Sequence, residues 1–276
     1  MNKIIIFTQN TMASTVATRQ IVLKNHDCIL AIVLARQLRK ESFFDQLKLA
    51  TKLIKKSSLQ FAIYKIIESY LYSVLLFFHT LLKSKKYKNG SAISISNLAK
   101  RYNIAIIKTN DISNDDFLQT INKLNPNYIF CIVGQVLKKN VFEILGNKLL
   151  NAHGSYLPEY RGPAQYFWYL LNNHKQFGIT LHFMNAGLDT GNIIFQQKFD
   201  FAHQISAYRL HYMIAKQFGS MFNTFIELYG EKNEIPTIEQ NNEKATQTHL
   251  PTKKDIKRFN ASGNRLIRVS DFFCCT

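Results

Sequence analysis

The sequence predicts an α/β fold, a mostly parallel sheet flanked by helices, with a helical insertion after the second strand and a short C-terminal extension. Strand-length apolar runs alternate with helix-length segments along much of the chain. One run, Tyr128 to Val133, is apolar at every position, as a strand covered on both faces requires. The 276 residues are 46% hydrophobic, enough to fill a sizeable core.

The elements follow in order. Lys3 to Phe7 reads as a buried strand, Thr8 to Asn10 as a polar turn, and His26 to Ala35 as a second strand. The alternation resumes with a strand over Ile104 to Lys108, a helix over Asn114 to Leu124 and a strand over Asn127 to Val133. A short helix over Lys138 to Ile144, a strand over Leu149 to His153, a strand over Gly178 to Met184 and a closing helix over Ile205 to Tyr229 complete it. The division expected is a catalytic unit over 1–205, then a closing helix and extension over 206–276, whose tail from Glu231 is polar and interrupted by Pro236 and Pro251.

Between the second and third strands lies an insertion, about residues 40–95, where a short connection would be ordinary. Within it, residues 59–83 form an amphipathic helix whose longest uninterrupted apolar stretch, Val74 to Phe78, is far below the ~20 residues that span a bilayer. Residues 40 to 90 hold ten lysines and three acids (Glu41, Asp45 and Glu68), which is +7 of the chain's net +17. The apolar stripe with lysines on both sides suits peripheral attachment to an anionic membrane, but packing on the chain's own domain or a homodimer partner is the favoured expectation. The net charge itself points to phosphate-bearing partners, an anionic surface, or solvated faces.

Cys28, Cys131, Cys274 and Cys275 match no zinc spacing, so no metal is expected and the thiols are read as reduced. The apolar run after Lys3 is too short for a secretory signal, so a cytoplasmic protein is expected. No Gly-x-Gly-x-x-Gly follows the first strand, which disfavours a dinucleotide cofactor.

Chemistry concentrates in two clusters. Asn151 to Pro163 begins at a strand end, where parallel sheets open their ligand crevice, and Asn151 and His153, two apart, point to one side. The strand containing His182 leads into Asn185 to Asn192, where Asp189 stands between Gly187 and Gly191 in a turn that allows close backbone approach to a ligand. A carboxylate there can reach His153. His182 divides between a structural residue and a support for the cluster.

The pattern Asn-x-His-x-Ser-x-Leu-Pro-x-Tyr-Arg-Gly from Asn151, then Gly-x-Thr-x-His and Leu-Asp-Thr-Gly, resembles the folate-dependent formyltransferase family, which includes methionyl-tRNA, glycinamide ribonucleotide and sugar N-formyltransferases. The resemblance covers about residues 1–40 and 98–200 and implies a Rossmann-like formyltransferase core. It also implies 10-formyltetrahydrofolate as co-substrate and a catalytic triad of Asn151, His153 and Asp189. It further implies that the loop Gly134-Gln135-Val136-Leu137 holds the pterin ring, with Gly187 and Gly191 beside it. Gln165 departs from the pattern, standing where relatives often carry proline.

The residue types suit that reaction. Attack of an amine on a formyl carbonyl puts negative charge on oxygen and positive charge on nitrogen, so the site needs an amide donor and a proton acceptor. Asn151 donates, His153 exchanges a proton or donates to the oxyanion, and Asp189 orients His153. Ser155 and Arg161 are substrate-binding candidates, with Arg161 or Lys253 and Lys254 available to a diphosphate. The tail looks too short for the tRNA-gripping domain of the methionyl-tRNA enzymes, and an apolar insertion suits nucleic acid poorly. The acceptor expected is therefore a nucleotide-linked amino sugar for surface polysaccharide. The alternatives are a methionyl-tRNA formyltransferase-like enzyme and an inactive membrane- or partner-binding protein of the same fold.

Overall fold

A computed structural model describes residues 3–35, 51, 54, 57–82, 94–202, 204–232 and 234–273. Strand β1 (Ile4–Thr8), helix α1 (Met12–Asn25) and strand β2 (Ile29–Ala35) open the fold, and helix α2 (Leu59–Leu82) is the insertion helix. Helix α3 (Ile95–Arg101), strand β3 (Ala105–Thr109), helix α4 (Asp115–Lys123) and strand β4 (Tyr128–Ile132) follow. Helix α5 (Lys139–Leu145), strand β5 (Leu149–His153), helix α6 (Gln165–Leu171) and strands β6 (Gln176–Phe183) and β7 (Ile193–Asp200) come next. Helices α7 (Ala207–Tyr229) and α8 (Lys253–Ala261) close the chain. The lysine-rich flanks of the insertion at 36–50 and 83–93, and Cys274 and Cys275, lie outside the described residues.

The seven strands form one sheet in the order β3-β2-β1-β4-β5-β6-β7, parallel from β3 to β5 and antiparallel at β6 and β7. Order reverses between β1 and β4, which opens a crevice at their carboxyl ends. There Ser14, in the first turn of α1, donates from its hydroxyl to the Ile132 carbonyl at 2.6 Å.

Alternation explains the unbroken apolar runs. Ile4, Ile6, Phe130 and Ile132 face one core with α1, α2, α6, α7 and α8, while Ile5, Phe7, Ile129 and Cys131 face another with α4 and α5. On the first face Phe130 stacks on Phe222 with ring centroids 4.2 Å apart. Helices α1 and α7 approach closely at Gly219, where an added Cβ would lie 2.7 Å from Cβ of Gln20. Helix starts are fixed by side chains: Thr11, Ser94, Asn114, Ser206 and Thr252 each accept a backbone N–H, worth about 1 kcal/mol apiece.

Several expected boundaries move, two of them by more than one residue at a strand start. His26–Cys28 form a 3₁₀ turn, so the second strand begins at Ile29. The strand expected at Gly178 begins earlier, because Gln176 and Phe177 pair with Asp200 and Phe199 of β7.

Candidate active site

Strand β5 ends the parallel part of the sheet and carries Asn151 and His153, both on the side facing the β6–β7 loop. That loop folds back over the strand. Asn185 Oδ1 accepts the Gly187 N–H and the Thr190 hydroxyl, and Gln240 Nε2 donates to the carbonyls of Asp189 and Gly191 at 2.9 and 2.7 Å. Asp189 itself sits at φ +53°, a left-handed conformation that a non-glycine residue holds at a cost and that is frequent at functional sites. Its Oδ2 lies 3.4 Å from His153 Nδ1 and accepts the Gly162 N–H at 2.9 Å. The fold thus brings His153 and Asp189 together, and Asn151 stands on the same strand as His153.

Both nitrogens of His153 are engaged: Nδ1 faces the carboxylate, and Nε2 lies 2.9 Å from the Tyr160 carbonyl oxygen. His182 has other partners. Its Nδ1–H donates to the Phe183 carbonyl at 2.8 Å, which leaves Nε2 as an acceptor for the Asn151 amide at 3.3 Å. Burial pushes its pKa down to about 4, against the pull of Asp189, so the ring is neutral near pH 7. One amide hydrogen of Asn151 is thus fixed on His182 and the other is left for a ligand. The pairing of Asn151 with His182 across β5 and β6 produces this contact, and β-register between the two cannot be read from either strand alone.

The loop from Gly154 to Ala164 forms the wall. Thr180 Oγ1 accepts the Leu157 N–H and donates to the Ser155 carbonyl, and the Leu157–Pro158 peptide is cis. Tyr160, Gly162 and Ala164 all have positive φ. Gly162, at φ +103°, has no room for a side chain, because a Cβ would lie 2.6 Å from the Thr248 carbonyl oxygen.

The remaining predicted residues divide. Gly134, Gln135, Val136 and Leu137 follow β4 at the crevice, with Leu137 buried and Val136 88% exposed. Gly187 and Gly191 belong to the Asp189 loop, and a Cβ on Gly191 would collide with the Phe183 carbonyl oxygen. Ser155 is fully buried and donates to the Glu159 carbonyl at 2.6 Å, so it shapes the wall from inside. Arg161 is 5% exposed, with Nε and Nη2 donating to Gln240 Oε1 and Nη2 also to Asn242 Oδ1. Its guanidinium binds the C-terminal segment to the site, a different placement from the exposed phosphate contact expected. Lys253 and Lys254 lie in the first turn of α8.

Sequence reasoning missed two contributors. Gln165, noted only as a departure, places Nε2 3.3 Å from His153 Nε2 and also bonds the Gly162 carbonyl. Gln240 lies in a polar segment with no periodicity, and its role depends on a buried bond network that carries no local signal. Among the described residues no cluster of three His, Cys, Asp or Glu side chains is arranged to hold a metal ion.

Residues 80–225, just over half of the chain, match the formyl transferase family. Methionyl-tRNA formyltransferase of Alkaliphilus oremlandii is 30% identical over 156 residues, covering 56% of this chain and 50% of that protein. The enzyme of Finegoldia magna is 29% identical over 148 residues, 53% of this chain and 48% of that one. The chain spans about half the length of these relatives. Among solved structures, a sugar 3N-formyl transferase crystallised with dTDP and 5-N-formyl-THF aligns over 92% of this chain and 71% of its own, at 22% identity and TM-score 0.55. Glycinamide ribonucleotide transformylase 1 of Symbiobacterium toebii aligns over 87% of this chain and 95% of its own, at 14% identity and TM-score 0.57. Both share the fold.

Proposed function

Because this chain belongs to the formyl transferase family, we propose that it is an N-formyltransferase that moves a formyl group from 10-formyltetrahydrofolate to the amine of a nucleotide-linked amino sugar destined for surface polysaccharide. The observation that carries this reading is the pairing of the His153 imidazole with the Asp189 carboxylate, with the Asn151 amide joined to the same cluster through His182.

The residues fit the folate. Cys131 of β4 pairs with Asn151, so the loop Gly134 to Leu137 leaves the sheet beside the catalytic strand, and exposed Val136 offers an apolar face that a flat ring can cover. Gly134, Gln135, Val136 and Leu137 would hold it, with Gly187 and Gly191 shaping the Asp189 loop opposite. When bound, 10-formyltetrahydrofolate supplies the electrophilic formyl carbon.

The chain's own groups do the rest. The amide hydrogen of Asn151 that His182 does not use donates to the oxygen on which negative charge grows as the amine attacks. His153, held by Asp189 and Tyr160, stands beside the same region and exchanges a proton there or donates to the oxyanion. The attacking amine must lose a proton and the departing nitrogen must gain one. Asp189, whose side chain keeps 15% exposure, is the carboxylate placed to relay it.

A compact acceptor is favoured by the C-terminal segment. Thr246 and Thr248 bond the backbone of Tyr160 and Arg161, and Gln240 and Asn242 hold the Arg161 guanidinium, so residues 240–248 close one flank of the site. The N-formyltransferase of Helicobacter canadensis, seen with folinic acid and dTDP-3-aminofucose, aligns over 92% of this chain and 72% of its own, at 21% identity and TM-score 0.54. The second reading, a methionyl-tRNA acceptor, is favoured by the roughly 30% identity to the enzymes of that name.

One assay tests both: transfer from 10-formyltetrahydrofolate to a panel of nucleotide-linked 3-amino and 4-amino deoxysugars, with methionyl-tRNA alongside. Formylation of a sugar is the expected result. Formylation of methionyl-tRNA alone would replace the acceptor, and no transfer to either would leave a formyltransferase fold used only for binding.

A further inference from the structure

The insertion helix α2 has two faces, and among the described residues only one of them is buried. Phe61, Ala62, Tyr64, Glu68 and Tyr72 are buried against the core. On the other side Leu59, Ile63, Ile66, Ile67 and Val74 are 40% to 54% exposed. At about 100° per residue these five fall within an arc of roughly 100°, directly opposite the buried set. The inner contacts fix the helix on the domain, so the outer stripe is held in one orientation: Phe61 meets Phe167 of α6 edge-on with centroids 6.2 Å apart, and His211 Nδ1 of α7 lies 2.6 Å from Glu68 Oε1.

The charge around this stripe has one sign. Between Asp45 and Asp111 the sequence has a single acid, Glu68, against twelve lysines and arginines. That one carboxylate points inward, where Tyr64 donates to it at 2.8 Å and Lys65 and His211 pair with it. The outer face therefore presents aliphatic side chains without a negative charge, in a segment where Lys52, Lys55 and Lys56 precede the helix in sequence and Lys83, Lys85, Lys86 and Lys88 follow it.

We propose that the outer face of α2 docks on an anionic lipid bilayer, with Leu59, Ile63, Ile66, Ile67 and Val74 entering the headgroup boundary and the helix lying in the plane of the membrane. Aliphatic insertion combined with basic attraction is the chemistry of an interfacial helix. A second copy of the chain fits less well, because a twofold interface centred on α2 would bring two lysine-rich segments together. Nucleic acid fits less well too, since its partners present polar, hydrogen-bonding surfaces rather than an aliphatic stripe. Among the described residues no helix is long and apolar enough to cross the membrane, so the contact is peripheral. The inference stands independently of the acceptor that the active site formylates.

Flotation of the full chain with vesicles tests it. The protein should float with mixed phosphatidylcholine–phosphatidylglycerol vesicles and not with pure phosphatidylcholine. Binding should fall at least roughly tenfold in an Ile63→Glu/Ile67→Glu double variant whose circular dichroism and thermal midpoint match the parent. Failure to float with anionic vesicles would overturn the proposal, as would binding that the double variant leaves unchanged. A concentration-dependent dimer that the double variant abolishes, without vesicle binding, would assign the face to a second copy. Binding of bulk tRNA without vesicle binding would assign the basic segment to nucleic acid.

Discussion

His153 faces Asp189 at 3.4 Å and His211 faces Glu68 at 2.6 Å, and consecutive residues of α6 touch one pair each: Gln165 lies against His153, and Tyr166 stacks on His211. The pairs share a composition and differ in how they are enclosed. Glu68 is 5% exposed and takes Tyr64, Lys65 and His211 at once. Burial pushes its pKa up, but Lys65 and then His211 more than reverse this and hold the carboxyl well below the usual range. Asp189 keeps 15% exposure, a longer contact to its histidine, and a backbone fixed in a left-handed conformation by its loop. A pair packed on every side ties elements together. A pair left partly open can exchange a proton with a ligand.

The largest effect should come from breaking the closed pair. Glu68→Ala leaves Lys65 beside an apolar core, and denaturant unfolding should show a loss of roughly 3–5 kcal/mol. Next, on the open side, Asn151→Ala should lower the formyl transfer rate about 10²–10³-fold while unfolding stays near the parent, since it removes the proposed oxyanion donor from a partly exposed position. If instead Asn151→Ala destabilises strongly and Glu68→Ala does not, the contrast between the pairs is misread.

His182 sharpens the comparison because it supports the open pair from a closed position. His182→Gln should reduce the transfer rate by roughly tenfold, part of the ~10²-fold that misplacing a reacting group by an ångström can cost, mainly in kcat. Its pKa supplies a smaller signal with a defined sign. In the unfolded chain an unperturbed histidine takes up its proton near pH 6.5, whereas folded His182 resists until about pH 4. The unfolded state binds more protons in that window, so stability should fall as pH is lowered from about 6.5 to about 4, by at most ~1.4 kcal/mol per unit from this group. The same titration of the His182→Gln variant should lack that component of the slope.

Much of this was legible in the sequence, for reasons tied to particular residues. Strands β1 and β4 are buried on both faces, so Ile4 to Phe7 and Tyr128 to Val133 read as continuous apolar runs, while Thr8, the last residue of β1, was read as turn. Strand β7 escaped notice because it is an edge strand, with Gln197, Lys198 and Asp200 exposed among its apolar residues. The proposed site residues could be named because Asn151 and His153 lie two apart on one strand and Asp189 sits in a glycine-bounded turn. Its supports were not, because Gln240 meets the loop from a segment far along the chain and His182 meets Asn151 only through strand register. The insertion helix was read as amphipathic, yet the sequence left open what its stripe would meet. Part of α2 packs inward through Phe61, Tyr64 and Tyr72, and the opposite face carries the exposed aliphatics.

The most direct measurement of the proposed activity is formyl transfer by His153→Ala and Asp189→Asn, each with the acceptor that the parent protein formylates fastest and each checked for an unchanged thermal midpoint. Both variants should lose at least roughly a hundredfold in rate while remaining folded. Near-parental turnover by either folded variant would contradict the assignment of that residue to the reaction.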